Sequence, residues 1–327
     1  MSVATRADSA IPAESAHPLA QRRPLGDRAF AILALAAGLL VLVILVLIAI
    51  STSQQASSWF STVGTGIFAY NWDPGQNQFG VLAFIYGTGI TAVIAVVLAV
   101  PVSIGIALLL NEVVPRRMAA PIVYVVDLLA VVPSVVWGLW GIIVLAPWLN
   151  HIYGSIASGV NGIWVLGFLF GGENISGASF FTAGLILAFM ITPIVTSLSR
   201  EVVATTPSID KQGAYALGAT RWEMIRGVVW PHSQGGIVGA VLLGLGRAMG
   251  ETIAVALVIG SSATITSHLF APGYNLPAGI ANQFGESSGV FRAALMGMGV
   301  LLFALTIIIN VIARGVVQRS ARRARGA

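Results

Sequence analysis

Residues Gly235–Gly260 read GGIVGAVLLGLGRAMGETIAVALVIG, an apolar run interrupted by one arginine and one glutamate. A run of about 20 apolar residues is long enough to cross the hydrocarbon core of a bilayer as a helix. Five further runs of such length occur in the chain. The sequence therefore predicts an all-α integral membrane protein with six transmembrane helices. The predicted spans are Ala29–Ile50, Val81–Leu110, Pro121–Leu149, Phe180–Val203, Gly235–Gly260 and Phe291–Val317.

The composition excludes a soluble globular domain. Hydrophobic residues make up 57% of the chain and charged residues 9%, and the mean hydropathy is +0.89. An average soluble domain carries about 25% charged residues. The chain has no cysteine, which excludes disulfides and thiolate metal sites. The four histidines are widely separated and lack the spacing of metal ligands, so no metal site is predicted.

The basic residues predict the orientation of the chain in the membrane. With the N-terminus inside, all of the 17 Lys and Arg residues except Arg247 and Arg292 fall on the cytoplasmic side. This asymmetry follows the positive-inside rule and predicts a multi-pass protein of the plasma membrane with both termini cytoplasmic. The pI of about 10.1 is also compatible with nucleic-acid binding. However, the charges flank helices rather than forming one basic face, so no nucleic-acid partner is predicted.

Two polar tails flank the membrane region. Met1–Arg28, with its Ala, Ser, Pro and Arg residues, is predicted to be a disordered cytoplasmic tail. The apolar run that follows is longer than the 7–15 residues of a signal-peptide core, so we expect it to be retained as a span. The transmembrane domain is predicted over residues 29–317, and residues 318–327 form a basic cytoplasmic tail.

Arg247 and Glu251 are the charged residues of the fifth predicted span. A charge at the bilayer centre costs about 2.5–3.5 kcal/mol on insertion scales, which favours a functional role over simple anchoring. On a continuous helix their i, i+4 spacing would place both on one face, where guanidinium and carboxylate can pair. An arriving anion would then displace the carboxylate, and Thr252 would lie beside the same pathway. The alternative is an ion pair that only locks two helices together.

The third predicted span contributes two further candidate pathway residues. Pro133 frees a backbone carbonyl and bends the helix near the middle of the span, which would bring the hydroxyl of Ser134 to a central route. Asp127, two turns into the span, is either an acid that pairs with a neighbouring helix or another pathway residue. We favour helix pairing for Asp127.

A long polar loop, Arg200–Pro231, separates the fourth and fifth predicted spans. Its first part predicts a helix over Ser208–Leu217 that stops at Gly218. A second helix is predicted over Thr220–Val229, in which Thr220 and the glutamate three residues later have the spacing of a capping box. The two helices would form a compact projection into the cytoplasm that enters a groove on another protein. The alternative is a simple connector, although long ordered loops are usually functional.

The sequence of this loop is similar to a known signature. The stretch Gly213–Pro231, GAYALGATRWEMIRGVVWP, resembles the "EAA" coupling-helix signature of ATP-binding-cassette (ABC) importer permeases. Ala214 and Gly218 match that signature, whereas Gln212 replaces its usual glutamate and Gly213 its first alanine. The resemblance implies that Gln212, Gly213, Ala214, Gly218 and Arg221 face a partner ATPase.

Three membrane stretches resemble one branch of these permeases. They are GLGRAMGETIAV at Gly244–Val255, LAVVPSVVWGLWGIIVLAP at Leu129–Pro147 and AGLILAFMITPIVTSLSREV at Ala183–Val202. All three are similar to the phosphate-specific transport (Pst) permeases, and the first two favour the PstC branch over PstA. The resemblance covers about residues 84–313 and implies the architecture of a type I ABC importer permease.

This resemblance implies a set of partners. The chain would be one of two membrane subunits of an ATP-driven phosphate importer, paired with a PstA-like permease. Two copies of a PstB-like ATPase would bind ATP and Mg, and a PstS-like protein would deliver phosphate from outside. The chain has no GxxxxGK[ST] phosphate loop, so it is not expected to be an enzyme or to hold a cofactor itself.

Other functions remain open at this point. A permease for sulfate, molybdate or another small oxyanion would use the same arginine. A proton-coupled secondary transporter would use Arg247, Glu251 and Asp127 as a relay, but it leaves the long cytoplasmic loop unexplained. A structural scaffold subunit would tolerate apolar residues at positions 247 and 251.

Overall fold

A computed structural model describes residues 25–160, 162–172 and 174–325. Over these residues the protein is built from helices, with one small hairpin of two strands, β1 (Trp72–Asp73) and β2 (Gln78–Phe79). Three π-helical turns, Leu109–Val113, Gly141–Leu145 and Ile225–Val229, interrupt longer helices. The helices are α1 Leu25–Val63, α2 Leu82–Leu108, α3 Arg116–Val131, α4 Ser134–Trp140, α5 Ala146–Val160, α6 Trp164–Phe170, α7 Phe180–Ala204, α8 Ser208–Ala216, α9 Arg221–Met224, α10 Trp230–Gly250, α11 Ile253–Val258, α12 Leu276–Gln283 and α13 Gly289–Arg325.

The chain divides into two compact units, one ending at Ile50 and the other beginning at Ser51. The described part of the first unit is the first two-thirds of α1, whose apolar side chains are almost all exposed. The predicted disordered tail falls mainly on residues 1–24, outside the described residues. Its last four positions, 25–28, are instead the first turn of α1. The predicted basic tail forms part of α13 up to Arg325.

Among the described residues, six helical segments are long and apolar enough to cross a membrane, which confirms the predicted number of spans. Four of them start and end within several residues of the predicted span or extend it. The third and fifth segments are displaced along the chain by about 10 to 14 positions from the predicted spans. The segments are Ala29–Val63, Leu82–Val113, Ser134–Val160, Phe180–Ala204, Arg221–Gly250 and Gly289–Ile312.

The predicted third span, Pro121–Leu149, is wrong as one continuous helix. The backbone turns extended at Val132 and Pro133, with ψ values of 124° and 140°, so α3 ends at Val131 and a new helix starts at Ser134. Proline lacks an N–H and disfavours the α conformation in the residue before it, which explains a break at this position. The candidate span consequently shifts to Ser134–Val160, and α3 is a separate helix before it.

The interior of the second unit is centred on α7, most of whose membrane-spanning length is buried by neighbouring helices. α2 packs along α7, and Gly184 permits the close approach because a Cβ there would lie 2.5 Å from a methyl of Ile94. Such small residues allow membrane helices to pack closely. The main cluster of buried side chains in this unit joins α7 with α2, α5 and α11.

The segment between α11 and α12 is irregular, and its second half, residues 269–275, is largely buried. Its two arms are joined by hydrogen bonds from the N–H of Gly273 to the carbonyl of Ile259, 2.8 Å, and from the N–H of Ser262 to the carbonyl of Gly273, 2.9 Å. The ring of Phe270 stacks on Tyr153 with 3.9 Å between ring centroids.

Candidate functional site

Arg247 lies in the last turn of α10, and this helix ends at Gly250. Glu251 has extended backbone angles, with φ −70° and ψ 127°, and a new short helix starts at Ile253. The prediction that Arg247 and Glu251 share one helical face is therefore wrong. The i, i+4 rule holds only on a continuous helix, and this helix is broken between the two residues.

The carboxylate of Glu251 accepts a hydrogen bond from the backbone N–H of Ala254, 3.5 Å, at the start of α11. The hydroxyl of Thr252 donates to the carbonyl of Gly250, 3.2 Å, at the end of α10. Backbone groups at helix ends have no hydrogen-bond partner inside the helix. The side chains of Glu251 and Thr252 are the partners of two such groups. Glu251 and Thr252 thus stabilise the two helix ends on either side of the break. Within the described chain, no ion pair joins Glu251 to Arg247.

The packing of α10 on α7 gives the depth of Arg247 in the helix bundle. A Cβ on Gly236 would lie 2.5 Å from a methyl of Val202, and one on Gly244 would lie 2.7 Å from a methyl of Val195. The two helices are therefore antiparallel and in close contact. Arg247, about one turn beyond Gly244, lies level with the middle of the 25-residue helix α7. Arg247 is therefore level with the middle of a candidate membrane span.

Glycines form two rows on α10. The row of Gly236 and Gly244 packs on α7, as described above. In the other row, Gly235, Gly239 and Gly246, a Cβ would meet nothing within 4 Å. This open row lines a groove of about 690 Å³ that reaches Arg247. The described residues lining it are Ile194, Gly235, Gly239, Leu242, Leu243, Gly246, Arg247, Asn310 and Arg314.

The groove is basic. Arg247 and Arg314 contribute guanidinium groups and Asn310 an amide, and none of the described lining residues is acidic. The side chain of Arg247 is exposed, so its donors are available to a ligand. A guanidinium presents five N–H donors in a planar fork that matches an oxyanion. The arrangement is therefore suited to binding a small anion level with the middle of α7.

The other predicted pathway residues lie elsewhere. Ser134 begins α4 and does not line the groove. Asp127 is exposed on α3 and lines a different cavity of about 500 Å³ together with Asn111 and Arg200. The predicted pairing of Asp127 with a neighbouring helix is not formed in the described chain, where no ion pair includes it.

The predicted helix boundary in the polar loop is confirmed. α8 ends at Ala216, and Gly218 has a φ of +82°, a conformation that glycine adopts without strain. The hydroxyl of Thr220 and the carboxylate of Glu223 form the predicted capping box. The second helix is nevertheless not a separate part of a projection, because it continues through the π turn Ile225–Val229 into α10.

The five predicted coupling residues do not all face outward. Gln212, Gly213, Gly218 and Arg221 are exposed, which leaves them free to contact a partner. Ala214 is half-buried and packs against a cluster of apolar side chains at the ends of α7 and α9. Its role in the fold is therefore to seat α8 on the rest of the protein.

Sequence analysis missed the residues that hold α8 in place. Lys211, one turn before Ala214, forms an ion pair with Glu112 in the π turn that follows α2. The amide of the neighbouring Asn111 donates to the carbonyl of Arg200, 2.8 Å. No local pattern indicates these contacts, because about 90 to 100 positions separate the partners.

Comparisons with known proteins show the family of the chain. Residues 100–326 match the family model of the binding-protein-dependent transport system inner membrane component. The phosphate transport system permease protein PstC of Mesorhizobium japonicum is 43% identical over 302 residues, which cover 91% of this chain and 92% of the relative. PstC of Haemophilus influenzae is 41% identical over 278 residues, 84% of this chain and 88% of the relative. PstC 2 of Mycobacterium tuberculosis is 41% identical over 300 residues, 89% and 91% of the two chains.

Solved structures show the same fold at low sequence identity. A chain of a bacterial alginate ABC transporter, crystallised with an alginate-bound periplasmic protein, aligns with a TM-score of 0.59 at 16% identity and covers 91% of this chain and 99% of that one. A chain of the MetNI methionine ABC transporter aligns with a TM-score of 0.52 at 14% identity, covering 77% and 99%. With six candidate spans and these relatives, the chain belongs to the binding-protein-dependent transport system inner membrane components and, among them, to the PstC phosphate transport permeases of type I ABC importer architecture.

Proposed function

We propose that this chain is a membrane permease subunit of an ATP-driven importer of inorganic phosphate. The observation that carries the proposal is the exposed guanidinium of Arg247. It lies level with the middle of α7, in a groove whose described lining residues include no acid. The relatives named phosphate transport system permease protein support phosphate as the transported ion.

Arg247 replaces part of the water shell that phosphate loses when it enters the membrane. Charge-assisted hydrogen bonds from a guanidinium to phosphate oxygens are short, and they are often formed in pairs. Because the carboxylate of Glu251 caps α11, the guanidinium has no carboxylate from that residue to release when phosphate arrives. This differs from the sequence-based mechanism, in which Glu251 neutralises Arg247 between transport cycles. Glu251 and Thr252 act instead by fixing the end of α10 and thereby the position of Arg247.

The helix break has a further consequence for transport. Discontinuous spans in transporters commonly form substrate sites near the middle of the bilayer, because a break frees backbone groups and allows the two halves to move separately. The break between α10 and α11 lies next to Arg247. Movement at this break would expose the phosphate site first to one side of the membrane and then to the other.

Partner subunits supply the remaining functions. A PstA-like permease would complete the pathway, a PstS-like protein would deliver phosphate, and two PstB-like ATPases would bind ATP and Mg and hydrolyse ATP. The exposed residues Gln212, Gly213, Gly218 and Arg221 are the proposed contacts with an ATPase. The asymmetric distribution of basic residues supports cytoplasmic termini in the plasma membrane.

The alternative functions are less well supported. Sulfate and molybdate would also bind an arginine, but the relatives reported above carry the name of phosphate transport. A proton-coupled secondary transporter would need Asp127 near Arg247, whereas the two residues line different cavities.

Phosphate uptake by Arg247 variants tests the proposal. In vesicles that contain the assembled transporter, Arg247→Leu should lower uptake by at least about 100-fold, because two charge-assisted hydrogen bonds worth about 1.5–3 kcal/mol each are lost. Arg247→Lys should also be poor, since a lysine cannot reproduce the fork. Arg292→Gln, which removes an arginine outside the described groove, is the matched control and should transport normally.

Co-purification with the partner subunits would show that the variants still assemble. Normal phosphate uptake by an assembled Arg247→Leu variant would disprove the proposed role of Arg247. Competition with unlabelled phosphate, sulfate and molybdate identifies the ion, and stronger competition by sulfate or molybdate would contradict phosphate import.

A further inference from the structure

Lys211 and Glu112 form an ion pair between α8 and the π turn Leu109–Val113 that ends the second span. The side chain of Glu112 is 6% exposed and that of Lys211 is 20% exposed. In the part of the chain that the structure describes, this is the one ion pair. Charged side chains are rarely buried unless they are paired. Because both charges are largely buried, they do not serve to make the surface soluble, and another role must explain them.

The π turn connects three elements of the fold. Glu112 reaches Lys211 on α8, and the neighbouring Asn111 donates through its amide to the carbonyl of Arg200 at the end of α7, 2.8 Å. π turns occur frequently at functional sites in helices. Two adjacent side chains therefore fasten the end of the second span to α7 and to α8 at the same time.

The apolar contact that seats α8 is small. Most of α8 is exposed, and its inner side consists of Lys211 and Ala214, one turn apart. Ala214 packs against the buried cluster that Ile104 and Leu108 of α2 also contact, but its side chain is a single methyl group. A contact of this size permits sliding, whereas a buried ion pair loses most of its favourable energy when the two charges separate. The ion pair is therefore the directional link between α8 and α2.

We propose that Lys211 and Glu112 are positioning residues that make α2 follow the movement of α8, so that ATP hydrolysis on a partner is converted into movement of the membrane helices. The proposal rests on the proposed function, since it requires α8 to contact the ATPase. α2 packs closely along α7 at Gly184, and α7 in turn packs on α10 at Gly244. Movement of α8 thereby reaches α10, which carries Arg247.

The test measures how many ATP molecules are hydrolysed for each phosphate imported. The complete transporter, with its ATPase and its binding protein, is placed in lipid vesicles. Glu112→Gln and Lys211→Met each remove one charge and should raise this ratio about fivefold or more, the low end of typical coupling between sites. The exchanged pair, Glu112→Lys with Lys211→Glu, should restore at least part of the coupling. Glu201→Gln is the matched control, because Glu201 is an exposed acid at the end of α7 without a partner among the described residues, and it should keep the wild-type ratio.

Each outcome of this test has one meaning. An unchanged ratio in Glu112→Gln and Lys211→Met would overturn the proposal. A lower yield of complex with a normal ratio in the complex that forms would also overturn it, because the pair would then serve stability alone. A wild-type transporter that imports no phosphate when it hydrolyses ATP would refute the proposed function itself.

Discussion

Alanine substitutions at Gly239 and Gly244 should affect stability in different ways, although both residues lie on α10. Gly239 belongs to the row that lines the groove, where a Cβ would meet nothing within 4 Å. At Gly244 a Cβ would lie 2.7 Å from a methyl of Val195 and 3.6 Å from the Cβ of Ile191. The same methyl group is thus added to open space in one variant and to a packed helix interface in the other.

The expected magnitudes follow from these distances. Alanine is favoured over glycine within a helix by about 0.8–1.0 kcal/mol, and both variants gain this term. Overpacking of a well-packed interior costs about 1–3 kcal/mol, and only Gly244→Ala incurs this cost. Gly239→Ala should therefore be as stable as the wild type or more stable, and Gly244→Ala should be about 1–3 kcal/mol less stable than Gly239→Ala.

The assay is unfolding of the purified, assembled transporter in detergent, with the midpoint followed by intrinsic fluorescence. Gly235→Ala, another glycine of the open row, is a second control and should behave like Gly239→Ala. Equal midpoints for Gly239→Ala and Gly244→Ala would contradict the packing of α10 on α7. A clear loss of stability in Gly239→Ala would show that another subunit fills the groove at this level.

Three further pairs of substitutions test local features. Thr220→Ala should lower stability by about 1 kcal/mol in the same unfolding assay because it removes the helix cap, whereas Thr220→Ser should not; equal effects would contradict the capping. Gly87→Ala would place a methyl group against the backbone of Tyr274 and should reduce the yield of folded protein in membranes. Gly89→Ala adds its methyl group to open space and should keep the normal yield. Equal yields for the two variants would argue against the packing of Gly87 on Tyr274. Glu251→Ala should slow phosphate uptake because α11 loses an acceptor, and Glu251→Gln, which keeps an acceptor oxygen, should retain most of the uptake; equal losses would indicate that the charge matters instead.

Features that depend on neighbouring residues could be predicted from the sequence. The capping box of Thr220 and Glu223 and the helix stop at Gly218 involve side chains within a few positions of each other, and the structure contains both. The number of spans could also be predicted, because it depends only on the length of apolar runs.

Features that depend on backbone breaks or distant contacts could not be predicted. The break after Gly250 lies inside an apolar run, so hydropathy does not reveal it, and the expected pairing of Arg247 with Glu251 fails for that reason. Arg247 was predicted to lie on a polar pathway. The groove beside it was not predicted, because it depends on which glycines of α10 pack against α7 and which have open space beside them. The partner of Lys211 is 99 positions away, and only the folded chain brings it near.

The helix from Arg221 to Gly250, which continues through the π turn Ile225–Val229, forms a rod of 30 residues, about 45 Å long. One end of the rod begins directly after the proposed ATPase contact, and the other end carries Arg247. A tilt of only about 5° at the first end would displace the second by about 4 Å on this length. That displacement is about the distance between two carbon atoms in contact, so a small rotation at the membrane surface is enough to make or break a contact around a bound ion.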